Sequence, residues 1–299
     1  MRGWHDGLVV SAHGRHCVVE GDDGERRICH PRGKKNAVVV GDRVRWQASA
    51  DEGTVEQVLP RRNLLYRQDE VRTKSFAANI DQVLVLIAAQ PEFSATQLAR
   101  ALIAAEAQRI AALVVLNKRD LADAFDRAWE RLAPYRTAGH AVLPLCLRDG
   151  DPALLARLCE QLEGRITLVM GPSGVGKSTL INALVPQALA GTAEISQALN
   201  SGRHTTTDTR WYWVGGAHQT ALIDSPGFQE FGLQHIAAAD LARLMPDLRA
   251  HAGDCRFYNC THVHEPGCTV QAAVERGAID PHRYGIYRSL HAELSQHRY

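Results

Sequence analysis

Gly171-Pro172-Ser173-Gly174-Val175-Gly176-Lys177-Ser178-Thr179 is the stretch that decides the fold. It matches G-x-x-x-x-G-K-[ST], the phosphate-binding loop. Glycines let the backbone curl so that successive N–H groups point at phosphate oxygens. The lysine reaches the β- and γ-phosphates, and the Ser178 hydroxyl is placed to bind Mg²⁺. The flanks fit. Ile166–Met170 reads as a buried strand leading in. Leu180–Leu184 reads as a helix that ends before Pro186.

Working outward, the region from about 70 to 235 alternates strand and helix patterns, the signature of an α/β sheet with crossover helices. Ile80–Ala89 is a continuous apolar strand, and Ser94-Ala95-Thr96-Gln97 fits a capping box opening a helix. Ala111–Leu116 is the next strand and delivers Asn117-Lys118-Arg119-Asp120 to its C-terminal end, where open α/β sheets bind ligands. Asn-Lys-x-Asp suits guanine. The carboxylate of Asp120 can accept from the N1–H and the N2 amino group together, and adenine has neither donor there. The stem of Lys118 can lie over the ring. Helices are expected at about 122–136 and 152–163, with a strand over His140–Cys146 between them.

Beyond the phosphate loop, Asn200–Thr209 is polar and aperiodic. A threonine there would complete Mg²⁺ coordination as a first switch, with Thr206 and Thr207 the candidates beside Thr205. A hairpin around Gly215-Gly216 leads to Asp224-Ser225-Pro226-Gly227. In such a second switch the aspartate holds Mg²⁺ through water and the Gly227 N–H meets the γ-phosphate. The next residue is Phe228, which cannot orient water as a glutamine would. Slow intrinsic hydrolysis is therefore expected, with His204 as the candidate to order the water.

The first 65 residues are turn-rich. Leu8–Val10, Cys17–Glu20, Arg27–Cys29, Val38–Val40 and Val44–Trp46 read as short strands, which fits a five-stranded oligonucleotide-binding barrel or an SH3-like one. Arg26, Arg27, Arg32, Lys34, Lys35, Arg43 and Arg45, with Arg61-Arg62 further on, suggest an RNA-backbone surface.

Seven cysteines are present. Cys17, Cys29, Cys146 and Cys159 read as plain buried or half-buried thiols. The run Cys255-x₄-Cys260-x-His262-x₅-Cys268 supplies donors for a closed tetrahedral zinc site, with His264 and His251 competing for the fourth place. Arg283, Arg288 and His297-Arg298 form a basic flank beside it.

The whole chain, 299 residues with 34 Lys and Arg against 33 Asp and Glu, has a net charge of +1, so any nucleic-acid surface must be local. Apolar runs are too short to span a bilayer and the start lacks a signal core, so a cytoplasmic protein is expected.

The order of motifs is unusual: Asn117–Asp120 precedes Gly171, whereas in an ordinary GTPase it follows both switches. Order, loop, His-Thr-Thr-Thr run, Asp-Ser-Pro-Gly-Phe and cysteine cluster together resemble the bacterial ribosome small-subunit-dependent GTPase family RsgA, also called YjeQ or YloQ. The resemblance covers essentially the whole chain. It implies an oligonucleotide-binding barrel (1–65), a circularly permuted GTPase domain (70–235) and a zinc-binding, mostly helical domain (236–299). It assigns Cys255, Cys260, His262 and Cys268 as the ligands of one structural Zn²⁺. It implies Mg²⁺ with GTP, and a monomer that acts on the 30S particle and its 16S rRNA late in maturation. An ATP-using P-loop enzyme and a non-catalytic RNA-binding scaffold are the alternatives. The permutation also puts the second switch directly ahead of the C-terminal segment, so nucleotide state is expected to act on that segment.

Overall fold

A computed structural model describes residues 3–33, 38–49, 51–69, 73–148, 150–186, 209–225 and 231–296. Five strands near the start close on themselves: His5–His13 (β1), His16–Gly21 (β2), Arg26–Pro31 (β3), Arg43–Ala48 (β4) and Gly53–Val58 (β5). Their order is β1-β2-β3-β5-β4, with β4 returning to β1, and β3–β5 is the one parallel pair. That Greek-key closure is the oligonucleotide-binding barrel rather than the SH3-like alternative. Val9, Cys17, Val19, Cys29, Val44, Trp46 and Val55 fill its interior. Burial pushes the thiol of Cys17 up to about 12 and that of Cys29 to about 11, so both act as small apolar side chains.

Val38–Val40 is not a strand. Val39 N donates to Asp42 Oδ2 at 2.9 Å and Asp42 N to Val39 O at 3.1 Å, making a turn. Gly41 in that turn has φ 89, and a Cβ there would lie 2.1 Å from the Ala78 carbonyl oxygen. The missing strand is instead Gly53–Val58. A further hairpin, Leu64–Gln68 (β6) with Thr73–Ala78 (β7), follows the barrel and was not expected from the sequence.

The central sheet then builds from Gln82–Ala88 (β8), Ala95–Ala107 (α1), Ala111–Asn117 (β9), Ala122–Arg131 (α2), Ala133–Thr137 (α3), Ala141–Pro144 (β10), Pro152–Leu162 (α4), Ile166–Met170 (β11), Lys177–Leu184 (α5), Thr209–Val214 (β12) and Thr220–Asp224 (β13). The helix expected over 122–136 is two, interrupted at Leu132 just before Pro134, whose ring cannot continue it. Ser94 Oγ caps α1 by accepting from Gln97 N, while Gln97 Oε1 has no partner among the described residues, so only half of the capping box forms.

Strand order is β10-β9-β8-β11-β13-β12, parallel except for β12. β8 shows why its sequence is apolar throughout. Val83, Val85 and Ile87 face the core under α1, and Leu84, Leu86 and Ala88 face the core under α4 and α5.

Strand β12 also pairs with β1, Ser11 opposite Arg210, so barrel and central sheet form one continuous ladder. The C-terminal part holds a 3₁₀ turn, Ala238–Leu244, and the helices Pro246–Arg249 (α6), Thr269–Glu275 (α7) and Pro281–Gln296 (α8). Leu241, Leu248, Leu290 and Leu294 join the core on the α1 side of the sheet, so this part shares its interior with its neighbour. Arg283 is 2% exposed, pairs with Asp247 at 2.9 Å through both Nε and a terminal nitrogen, and lies over the Tyr135 ring. It is an internal bolt, not part of the exposed basic flank that the sequence suggested.

Candidate functional site

The phosphate loop runs from the end of β11 to the start of α5. Gly174 and Gly176 take φ 80 and 102, values that free the backbone to turn its N–H groups inward. A Cβ on Gly171 would lie 2.4 Å from Leu86 O, so glycine lets the loop pass close under β8. Pro172, Ser173, Ser178 and Thr179 are partly or fully exposed around the loop, and Val175 is buried beneath it. Helix α5 starts at Lys177, aiming its free amides at the space above the loop.

Asn117, at the tip of β9, is buried and bolts three segments together. Its Nδ2 donates to Val175 O at 2.8 Å, and its Oδ1 accepts from Leu147 N at 3.2 Å. Asp120 follows one turn later, with Cys146 Sγ 3.7 Å from its Oδ1 and the Arg148 guanidinium 3.7 Å from its Oδ2. Lys118 reaches across to Gln90 O at 2.5 Å, two residues beyond β8. The Leu145–Leu147 corner thus sits against both Asn117 and Asp120. Read from the sequence, Cys146 was a plain thiol. Leu145-Cys146-Leu147 also stands where GTPases usually place a short Ser-Ala type motif whose backbone N–H meets the guanine carbonyl, a motif the sequence alone did not locate.

On the other side of the loop, Lys177 Nζ pairs with Asp224 at the end of β13. Ser225 is buried next to it, and its hydroxyl has no partner among the described residues. The strands therefore bring Asn117–Asp120, Gly171–Thr179 and Asp224 to one edge of the sheet. His204, Thr206, Thr207, Gly227 and Phe228 lie outside the described residues.

The chain from Phe231 onward is held by the β6–β7 hairpin. Gln68 N donates to Gly232 O at 3.1 Å, and Gln234 N to Gln68 O at 3.0 Å. Phe76 stacks on Phe231, and Tyr66 packs on His235. The segment from Phe231 onward is thus tied to the hairpin leaving the barrel as well as to the C-terminal helices.

Cys255, Cys260, His262 and Cys268 present donor atoms all within 4.8 Å of one another. Cys255 Sγ lies 3.4 Å from His262 Nδ1 and 3.9 Å from Cys268 Sγ, and Cys268 Sγ lies 3.5 Å from the same nitrogen. A tetrahedron with metal–sulfur arms of 2.3 Å has edges of about 3.8 Å, so the cage has zinc dimensions. His264 is exposed, and His251 Nδ1 lies beside Arg276, so neither competes for the fourth place. Tyr284 and Tyr287 of α8 each donate to the ligand loop at 2.7 Å, to His262 O and Thr261 O. Burial acts to raise the Glu265 carboxyl, but hydrogen bonds from Thr261 and nearby backbone amides hold it far below the usual range.

The basic run on the barrel is largely neutralised. Arg26 pairs with Glu20, Arg27 with Glu25, Arg32 with Glu56, Arg61 with Asp42 and Arg62 with Asp81. Lys34 and Lys35 lie outside the described residues.

Residues 58–234 match the family model of the RsgA GTPase. The chain belongs to the RsgA GTPase family. RsgA membership makes it a GTP-hydrolysing enzyme built on a circularly permuted sheet. It is 67% identical to the small ribosomal subunit biogenesis GTPase RsgA of Variovorax paradoxus (strain S110) over 299 residues, 99% of this chain and 94% of that one. Against the RsgA of Paraburkholderia phytofirmans (strain DSM 17436 / LMG 22146 / PsJN) identity is 51%, over 97% of this chain and 93% of the relative. The crystal structure of YjeQ from Thermotoga maritima superposes with a TM-score of 0.76 at 30% identity, over 99% of this chain and 100% of that one. YloQ, described as a circularly permuted GTPase, gives 0.73 at 28% identity, over 99% and 97%. No helix among the described residues is long and apolar enough to cross a membrane.

Proposed function

We propose that this chain hydrolyses GTP in late maturation of the 30S ribosomal subunit, binding the particle and its 16S rRNA and being activated by it. The carrying observation is the Asn117 carboxamide, which joins the base-reading strand to Val175 of the phosphate loop and to Leu147. One rigid unit then fixes base and phosphates at a set spacing, and Asp120 reads the Watson–Crick edge of guanine. Lys177 leaves Asp224 for the β- and γ-phosphates when nucleotide binds, and the amides of Gly171–Thr179 cradle the phosphate oxygens. Mg²⁺ would be held by the Ser178 hydroxyl, by Asp224 through water, and by Thr206 or Thr207. It would neutralise charge on the transferred phosphoryl group. His204 orders the attacking water in place of the glutamine that Phe228 displaces. Gly227 senses the γ-phosphate.

Zn²⁺ at Cys255, Cys260, His262 and Cys268 has no open ligand position and serves folding. We assign residues 1–65, 70–235 and 236–299 as barrel, GTPase and zinc units of a cytoplasmic monomer. The ties from Gln68 to Gly232 and Gln234 support a two-way lever, in which the second switch moves the C-terminal segment and the barrel hairpin together.

The deciding experiment is GTP turnover with and without 30S particles, alongside ATP competition. Turnover raised by the particle and indifferent to ATP is expected. Nucleotide binding without turnover in either condition would leave a scaffold, and preference for ATP would overturn the base assignment. His204→Ala should abolish the stimulated rate and spare GTP binding.

A further inference from the structure

Among the described residues only Trp4, Phe257 and Tyr258 are large apolar side chains standing exposed. Two of them are adjacent, at the tip of the loop between the first two zinc-ligand cysteines. Tyr258 is 102% exposed and Phe257 41%. Exposing two neighbouring rings forgoes burial that folding would otherwise use, which marks such a patch as an interaction site.

The loop is built, not loose. Cys255 and Cys260 anchor both ends in the metal cage. Cys260 N donates to Phe257 O at 3.2 Å, closing a turn, and Arg256 N donates to Gly267 O at 3.2 Å. Gly267 has φ 74, and a Cβ there would sit 3.1 Å from Arg256 Cβ, so glycine permits the close approach. The Arg256 guanidinium lies 5.5 Å from the Phe257 ring centre and pairs with no carboxylate among the described residues. Arg256, Phe257, Tyr258 and Asn259 are all exposed. Arg288 is exposed on the α8 face that carries Tyr284, one turn away, and Tyr284 bonds the ligand loop.

We propose that Phe257 and Tyr258 form a stacking anchor for an unpaired base of RNA, with Arg256 and Arg288 on the flanking phosphates. Four consecutive exposed side chains supply two planar rings, a guanidinium and a carboxamide, and no aliphatic group. That set suits base faces and edges rather than an apolar protein groove. Because the zinc cage fixes the turn, little ordering is lost on binding. The proposal rests on the 30S reading and names the contact by which this part of the chain grips the particle.

The test uses the full zinc-loaded chain with a non-hydrolysable GTP analogue. Wild type, F257A/Y258A and Y258W are compared for 30S affinity and for ultraviolet cross-linking, with zinc content and basal GTPase rate as folding controls. Loss of one stacked base should weaken 30S binding by roughly five- to a hundredfold in F257A/Y258A, with Y258W close to wild type. Cross-links should run to 16S rRNA and vanish in F257A/Y258A. Equal affinity of wild type and F257A/Y258A overturns the anchor alone. So do cross-links confined to a ribosomal protein. Failure of the wild type to bind 30S overturns the functional reading and the anchor with it.

Discussion

The indole N–H of Trp213, on β12, donates to the Glu20 carboxylate of barrel strand β2 at 2.7 Å. Glu20 is buried and also accepts from Arg26 at 2.8 Å. One side chain from the central sheet is thereby locked to the barrel. Trp213→Phe keeps a ring but removes the donor. The expected loss is about 1–2 kcal/mol of stability by urea denaturation, with GTP affinity unchanged, because Glu20 loses one buried hydrogen bond.

Arg283 should matter more. It is buried, bidentate on Asp247 and stacked on Tyr135. Arg283→Met leaves Asp247 without its counter-charge, and removal of one partner of a buried pair costs about 3–5 kcal/mol. Arg283→Lys should recover only part of this, since an ammonium cannot make the two-pronged contact. Chemical denaturation of the three proteins side by side checks both statements.

At Gly176 strain and crowding coincide. Its φ is 102, and a Cβ would lie 2.6 Å from Asn117 Nδ2. Gly176→Ala must distort the loop or displace Asn117. A strain of about 1–3 kcal/mol at the site corresponds to roughly five- to 150-fold weaker guanine-nucleotide binding. Titration calorimetry should show this loss, and the thermal midpoint should fall by several degrees as well, because the same strain acts on the folded chain through the ties of Asn117 to Val175 and Leu147.

Acid should destabilise the chain through histidines whose folded pKa is depressed. His140 lies against Arg283 and Arg249 and against Asp247 and Glu106. Burial is the largest cause of its lowered pKa, and its Nε2 has no partner among the described residues. His235 under Tyr66 is lowered by burial alone. Both groups are neutral in folded and unfolded chains above the unfolded pKa of about 6.5, so they contribute no pH dependence there. Below it the unfolded chain takes up protons that the folded chain resists, so stability falls as pH drops. The thermal midpoint should decline from pH 7 to pH 5, and His140→Gln should flatten that slope.

The grouping of the candidate site was legible because the proposed chemistry demands particular residues at fixed spacing. Asn117, Asp120 and Gly171–Thr179 are such residues, and the sheet brings them to one edge. Elsewhere the signal was weaker than the tertiary context. Val38–Val40 has a strand's composition, yet the Asp42 carboxylate captures the Val39 amide and turns the chain. Gly53–Val58 begins at a glycine and alternates poorly, yet it is a strand because only glycine fits between Cys29 Sγ and the Trp46 ring. The basic run on the barrel looked like an open phosphate surface, whereas Glu20, Glu25 and Glu56 occupy three of its arginines. Glu25 lies only two residues before Arg27, the arginine it pairs with. Glu56 reaches its arginine only through the parallel β3–β5 pairing, which no local pattern reveals.

The shared ladder between β1 and β12 has a consequence for how the protein is made. The Ser11 hydroxyl meets the Thr209 carbonyl across 198 positions of chain. Strand β1 is synthesised well before β12, its partner, which follows the segments that carry Asn117 and Gly171–Thr179. The barrel can close early from neighbouring strands, whereas its seam to the sheet must form late. Distant pairing of this kind slows folding. A fast phase for the barrel followed by a slow docking phase is therefore built into the order of the chain.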